Sequence, residues 1–287
     1  MPLKSACVRL ALPAIECDVT TRMILAYSAN IGETNDCFYD DRRADFRASP
    51  FFCVSPEWQF VLSARRTDLG LSPDEALRAV HARQSTRFLA PLLPGRRNRV
   101  SGTVVAVRAP RAGAVSTTRM KTVDLATGAM LTLTESDAVY RGVAVEGPDC
   151  TMRAENSPES GQTVLANETP LALDRWFAHR YSECASIWNP IHTEESLAHK
   201  AGLPGCIVHG TALWALAGRT LVAVYANGDS CRLVSFEGRF SAMAEASTLI
   251  AQRYVRIAAP NGPVVFVVRN VHGKGAISDG VAVFRQH

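Results

Sequence analysis

The strongest constraint in this 287-residue chain is that it repeats itself at a fixed distance. Tyr27-Ser28 returns as Tyr181-Ser182, Asn35 as Asn189, Pro50 as Pro204 and Val54 as Val208, each pair 154 residues apart. Arg87-Phe88 returns as Arg239-Phe240 at 152 residues, a slip of two across an intervening loop. Single identities carry little weight, but a shared offset is the mark of an internal repeat. Both copies also run through the same order of patterns: helix, polar loop, apolar helix, strands. The chain therefore reads as a duplicated α+β unit.

Local signals fill in each copy. Asp18-Val19-Thr20-Thr21 looks like a helix start, because these side chains accept hydrogen bonds from unsatisfied backbone N–H groups. Met23, Ile24 and Tyr27 follow at helical spacing. Residues 7–17 are too short and irregular to assign, and Gly32 to Arg47 reads as a polar loop. Pro50 to Ala64 suits an apolar helix with Pro56 near its start. Strands are expected from Val80 to Val107, from Val115 to Thr122 and from Ala129 to Tyr140, with Ala126-Thr127-Gly128 turning the last hairpin. Glu146 to Thr163 is rich in Gly, Pro, Ser and acidic residues and reads as a linker. Beyond it, a helix is expected over Thr211 to Tyr225, and Val264 to Val268 and Ile277 to Phe284 are the clearest later strands. The division predicted is 1–145, a linker at 146–165, and 166–287.

Composition removes several function classes. A net charge of +4, dispersed along the chain, gives no footprint for nucleic acid. No stretch reaches the roughly 18 apolar residues of a membrane span, and the N-terminal residues make a poor signal peptide. Eight cysteines without a C-x-x-C pair argue against zinc and thioredoxin-like chemistry, and suit reduced thiols in a cytoplasmic protein. No glycine-rich phosphate loop or nucleophile elbow is present, and the spacing of His192 and His209 does not suit a metal site.

One stretch holds more polar chemistry than a core needs: Trp188-Asn189-Pro190-Ile191-His192, followed by Ile207-Val208-His209-Gly210-Thr211. Each residue also has a purely structural use. Asn189 suits a turn before Pro190, His192 a hydrogen-bonded core position, and His209-Gly210 a helix start.

These two segments resemble the MaoC-like family of R-specific enoyl-thioester hydratases and dehydratases, most specifically over Tyr181 to Leu221. The resemblance implies a double hot-dog fold, in which each half is an antiparallel sheet wrapped round a long helix and the two sheets join edge to edge. It also implies that the C-terminal half keeps the catalytic motif while the N-terminal half, which has lost it, helps bind the acyl chain. His192 aligns with Phe38 and His209 with Ser55, which fits that division. The family motif is Asp-x-Asn-Pro-x-His, and here the aspartate position is Ile187. Glu33 occupies the equivalent position in the first half.

The resemblance assigns His192 as general acid/base, Asn189 to orienting water or His192, and the Gly210 N–H to the thioester carbonyl. His209, Trp188, Ile187 and Thr211 are expected around the substrate. Phe51, Phe52 and Trp58 are ordinary core by default and line an acyl tunnel in the functional reading, with Trp188 and Trp214 closing it. Glu33, Glu183 and Glu194 are the weaker candidates for a replacement acid. Ser182 and Ser186 can position water, and Arg83, Arg87, Arg239 and Lys274 can meet phosphates. The reaction expected is hydration of a 2-enoyl thioester or dehydration of an (R)-3-hydroxyacyl thioester. No cofactor is called for beyond the coenzyme A or phosphopantetheine that carries the substrate. An acyl carrier protein is a possible partner, and the chain is expected as a monomer with an internal pseudo-dimer or as a homo-oligomer. The alternatives are a hot-dog protein that binds acyl thioesters or a partner without hydrating, and a single-histidine enzyme acting on an activated substrate.

Overall fold

A computed structural model describes residues 2–76, 78–152, 167–245, 249–256 and 262–285. Ten strands make the main path of the sheet: β1 (Ala11–Val19), β2 (Ala79–Phe88), β3 (Arg96–Arg108), β4 (Gly113–Asp124), β5 (Met130–Arg141), β6 (Asn167–Ala172), β7 (Leu233–Phe240), β8 (Leu249–Arg256), β9 (Val264–Arg269) and β10 (Gly275–Phe284). Four helices matter for the site: α1 (Thr21–Ile31), α2 (Val54–Ala64), α3 (Phe177–Cys184) and α4 (Gly210–Ala226).

The strand order is β1-β3-β4-β5-β2-β7-β10-β9-β8-β6. Adding five to each label of the first half and reversing the order gives the second half. The sequence repeat is thus a pseudo-twofold symmetry, and the two antiparallel sheets join edge to edge through β2 and β7. Ser85 pairs with Glu237 at that junction, and these two are equivalents at the 152-residue offset. Tyr27 and Tyr181, equivalents at 154, meet with ring centroids 5.9 Å apart. The axis therefore runs between both pairs, and the fold is the expected double hot dog.

The junction is stapled on side chains as well as backbone. Arg83 Nε donates to Glu237 at 2.8 Å, and the Ser85 hydroxyl donates to the same carboxylate at 2.9 Å. Antiparallel pairing of two edges also removes the unpaired backbone groups that an isolated half would expose.

Helix α4 is apolar along most of its length, broken by Thr211, Arg219 and Thr220, as suits a helix enclosed on most sides. Ala212, Leu213, Trp214, Ala215, Ala217 and Leu221 are all buried. It stops at Asn227, which takes the left-handed conformation with φ 51°. Gly218 lets the halves interlock: a β-carbon there would lie 2.1 Å from the ring of Phe51. Phe51, Trp214 and Phe236 then meet edge to face, with centroids 5.1–5.5 Å apart.

Two sequence expectations are corrected. Residues 11–19, which local pattern either leaves open or assigns to a helix start, form β1. The helix begins at Thr21, where the Thr20 hydroxyl accepts from Met23 N–H at 3.2 Å. The strand owes its conformation to pairing with β3, a partner some 80 residues away that local pattern does not reveal. Of the expected linker, 153–165 lies outside the described residues. Its first part is not free coil, since Cys150–Thr151 pairs with β3. All eight cysteines are free thiols.

Candidate active site

Helix α3 sets the site loop in place. Ser182 on its last turn accepts the Ile187 N–H at its carbonyl, 2.9 Å away, which folds the chain back. Between them Ser186 has φ 53°, a left-handed conformation uncommon for residues other than glycine. Its repeat equivalent is Gly32, with φ 69°. Gln59 on α2, from the other half, donates its side-chain amide to the Ser186 carbonyl at 2.9 Å and so holds the strained corner.

The loop then passes through Asn189 into a short 3-10 turn, Pro190–His192. Proline at the first position supplies the required φ and lacks an N–H that would go unsatisfied there. The turn matches Asp36–Phe38 of the first half at the 154-residue offset. Asn35 caps that earlier turn by accepting from the Cys37 N–H at 3.0 Å. Asn189 makes no such cap, and its half-exposed amide has no hydrogen bond among the described residues.

His192 is largely buried, and its Nδ1 lies 2.9 Å from the Ile207 carbonyl. A carbonyl only accepts, so Nδ1 carries the proton and Nε2 is the basic nitrogen. Nε2 has no hydrogen-bond partner among the described residues. His209 stacks on His192 with centroids 3.7 Å apart and an interplanar angle of 26°. The His209 Nε2 lies 3.1 Å from Ser182 Oγ and 3.3 Å from the Ile187 carbonyl, leaving its Nδ1 buried without a partner. Burial lowers the pKa of His192 to about 4, against which the bond to Ile207 acts. Burial, and then the neighbouring His192, hold His209 well below the ordinary range. Burial thus favours the neutral form of both rings.

Directly after His209, α4 presents its first turn. Neither Gly210 nor Thr211 has a backbone N–H partner among the described residues, as is usual for the start of a helix. These donors and the helix dipole favour a carbonyl that gains negative charge. Gly210 also permits close packing, since a β-carbon there would lie 2.8 Å from the ring of Phe240. Thr211 lies against the buried Tyr181 hydroxyl.

The other expected residues separate into groups. Ile187 is buried in the core, and no carboxylate contacts either histidine among the described residues. Glu183 instead accepts from the Trp188 indole at 3.1 Å. Glu33 stays in its own half, where it accepts from the Ser49 hydroxyl at 2.7 Å. Burial raises its pKa, while Ser49 and nearby Arg219 work the other way. Phe51, Phe52 and Trp214 are all closed into the core, with Phe52 backing a surface cleft. Trp58 is half-buried under the Arg65 guanidinium, 5.1 Å from its ring centroid. Arg83 is held by Glu237 and Arg239 lies 3.5 Å from Asp279, so both cations have partners on the sheet.

Sequence pattern does not single out Gln59 or Glu57. The positive φ of Ser186 is legible there, through its alignment with Gly32. A half-open cleft of about 210 Å³ is lined by Asp18, Val19, Met23, Ser55, Gln59, Ser186 and Trp188, with Phe52 behind it. Past the loop, a wider hollow of about 480 Å³ is bordered by Arg175, Trp176, His179, Thr193, Glu195 and Cys206.

Comparison with known proteins agrees with this fold. Residues 159–256 match the family described as MaoC like domain. A MaoC-like dehydratase from Phytophthora capsici superposes with a TM-score of 0.84 at 19% identity, covering 98% of this chain and 99% of that one. The full-length peroxisomal multifunctional enzyme type 2 from Drosophila melanogaster superposes with a TM-score of 0.78 at 20% identity, covering 96% of this chain and 48% of that one. A 63-residue stretch is 40% identical to the fatty acid synthase beta subunit pkiC of Emericella nidulans, covering 22% of this chain and only 3% of that subunit. The C-terminal half of the chain therefore carries a MaoC-like domain, within a double hot-dog fold shared over nearly the whole length with the MaoC-like dehydratases.

Proposed function

We propose that the protein is a cytoplasmic lyase that reversibly hydrates a 2-enoyl thioester to the (R)-3-hydroxyacyl thioester, with His192 as its acid/base. The observation that carries this is the pairing of an oriented, neutral imidazole with an open Nε2 and the unpartnered Gly210 N–H at a helix start. In the hydration direction, Nε2 takes a proton from water as the oxygen bonds to C3 of the substrate. The electron pair of the double bond moves toward the thioester carbonyl, whose oxygen the Gly210 N–H stabilises. The imidazolium then returns its proton to C2. Asn189 orients the water, and His209 backs His192 as a neutral ring. Residues 166–287 supply this chemistry, and 1–145 supply the wall against which the acyl group rests. The thioester is carried by coenzyme A or by the phosphopantetheine of a carrier protein.

Ile187 favours a second reading, in which the same site holds acyl thioesters without hydrating them. Isoleucine cannot exchange a proton, and no carboxylate among the described residues takes its place. Crotonyl-CoA hydration by the purified wild type and by Ile187→Asp separates the readings. Wild-type turnover that is lost in His192→Ala supports the enzyme. Turnover seen only in Ile187→Asp supports the binding protein.

A further inference from the structure

We infer that Gln59, which belongs to the half without the two histidines, is a positioning residue for the His209–His192 pair. Helices α1 and α3 end alike. The Glu33 N–H donates to the Ser28 carbonyl at 3.0 Å, and the Ile187 N–H to the Ser182 carbonyl at 2.9 Å. Such an ending puts one residue in the left-handed conformation, here Gly32 with φ 69° and Ser186 with φ 53°. In both copies the carbonyl of that corner residue accepts from a helix of the opposite half. Gln59 on α2 donates to Ser186, and the Arg219 guanidinium on α4 donates to Gly32. The two donors are not equivalents in the repeat. At the 154-residue offset Gln59 falls on the buried Leu213, and Arg219 falls on Arg65, which lies over the Trp58 ring instead. The same contact is thus reached twice from different positions, so the corner carbonyl is a point that each half secures in the other.

The Ser186 corner holds an imidazole. The Ile187 carbonyl, one residue on, lies 3.3 Å from His209 Nε2, and Ser182 Oγ, on the other side of the corner, lies 3.1 Å from the same nitrogen. A carbonyl only accepts, so Nε2 carries the His209 proton. The direction of that N–H is therefore set by the residues that flank the corner. His192 stacks on the His209 ring with centroids 3.7 Å apart, so a tilt of one ring moves the other. A serine held at positive φ is strained, and such strain persists only where surrounding contacts maintain it. Gln59 supplies that contact. At the other corner glycine carries no such strain, and a β-carbon there would lie 2.6 Å from Arg219 Nη1. Gln59 has no hydrogen bond to either ring among the described residues and acts through the Ser186–Ile187 peptide.

The effect on turnover rests on the hydratase reading above, whereas the effect on the rings does not, and the test reads both. Gln59→Glu keeps the shape and removes the donor, Gln59→Met removes it without adding a charge, and Gln59→Lys restores a donor. In the full-length proteins the imidazole nitrogen signals are followed by NMR against pH, beside crotonyl-CoA hydration and urea unfolding. In the glutamate and methionine variants the His209 Nε2–H signal should shift or be lost to exchange with water, while the unfolding midpoint stays close to wild type. The kcat should fall about tenfold at nearly unchanged KM, within what a displacement of up to about 1 Å at a reacting group costs. Gln59→Lys should bring both the signal and kcat back toward wild type. His209 and His192 signals at their wild-type positions in either folded donorless variant overturn the inference, whatever the activity. Equal signal shifts in all three variants, lysine included, also overturn it, because the donor would then not matter. Shifted signals in the donorless variants of a protein that hydrates no enoyl thioester support the positioning role and overturn the hydratase reading.

Discussion

The two halves of this molecule carry the same loop, turn and helix start, but only one copy places two imidazoles there. In the C-terminal copy, Ser182, His209 and His192 form a connected set ending in an open imidazole nitrogen. In the N-terminal copy the equivalents are Ser28, Ser55 and Phe38. Ser28 Oγ is buried without a partner, and the Phe38 ring lies in the core under the Arg47 guanidinium. Glu33, the carboxylate at the family's acid position, is tied to Ser49 within its own half. The comparison teaches that a backbone scaffold outlasts its chemistry. The 3-10 turn, the left-handed corner and the helix start persist in both copies because they hold the fold. The side chains they present are free to diverge.

Exchanging equivalent residues tests this contrast most strongly. His192→Ala should reduce kcat/KM by roughly 10²–10⁴-fold with little loss of stability, the range for removing a general acid/base. Phe38→Ala should do the reverse. It should cost about 3–5 kcal/mol of stability, as truncation of a buried phenylalanine does, while the kcat of the folded fraction stays near wild type. Hydration assays beside urea unfolding read both. Equal activity loss in the two variants would erase the distinction.

Two buried groups, one in each half, should respond oppositely to pH. His192, lowered by burial to about 4, stays neutral where the unfolded chain's histidine, near 6.5, takes up a proton. Stability contributed there falls as pH drops from about 6.5 toward 4. Glu57, raised by burial to about 7, keeps its proton where the unfolded chain releases it, so its contribution falls as pH rises from about 4.5 to 7. Each effect reaches at most about 3 kcal/mol. In urea midpoints, Glu57→Gln should gain on wild type between pH 5 and pH 7, and a constant difference would sink this assignment. The acid limb of kcat/KM should fall near pH 4 instead of near 6.5.

Smaller changes sharpen the picture. Gly210→Ala brings a methyl group against Phe240 and shifts the helix start. A loss of roughly tenfold in kcat with an intact fold is expected, consistent with a displaced carbonyl donor. Ser186→Gly copies the residue of the N-terminal half into the C-terminal one. It should be neutral or stabilise by up to about 1 kcal/mol, because glycine adopts positive φ without strain. A clear destabilisation would show that the serine side chain has a role of its own.

Much of the fold and of the candidate site is legible in the amino-acid sequence. The 154-residue offset locates the paired turns, the helix starts and the site loop, because duplicated backbone geometry preserves the residues that make turns and corners. Asn189-Pro190 and His209-Gly210 mark their elements through capping and dihedral chemistry that acts locally. Strand β1 is not legible, since its conformation comes from pairing with β3. Nor is the fate of the aromatic residues, since Phe51 and Phe52 are closed into the core while Trp58 is only half-buried.

By itself, then, the sequence determined the duplicated architecture and the position of the candidate site loop, because these depend on repeats and on short-range backbone preference. Only the tertiary structure decided how the two histidines stack and which carboxylates lie away from them. Those properties arise where segments distant in the chain pack together, and packing at that range leaves no periodic trace in the chain.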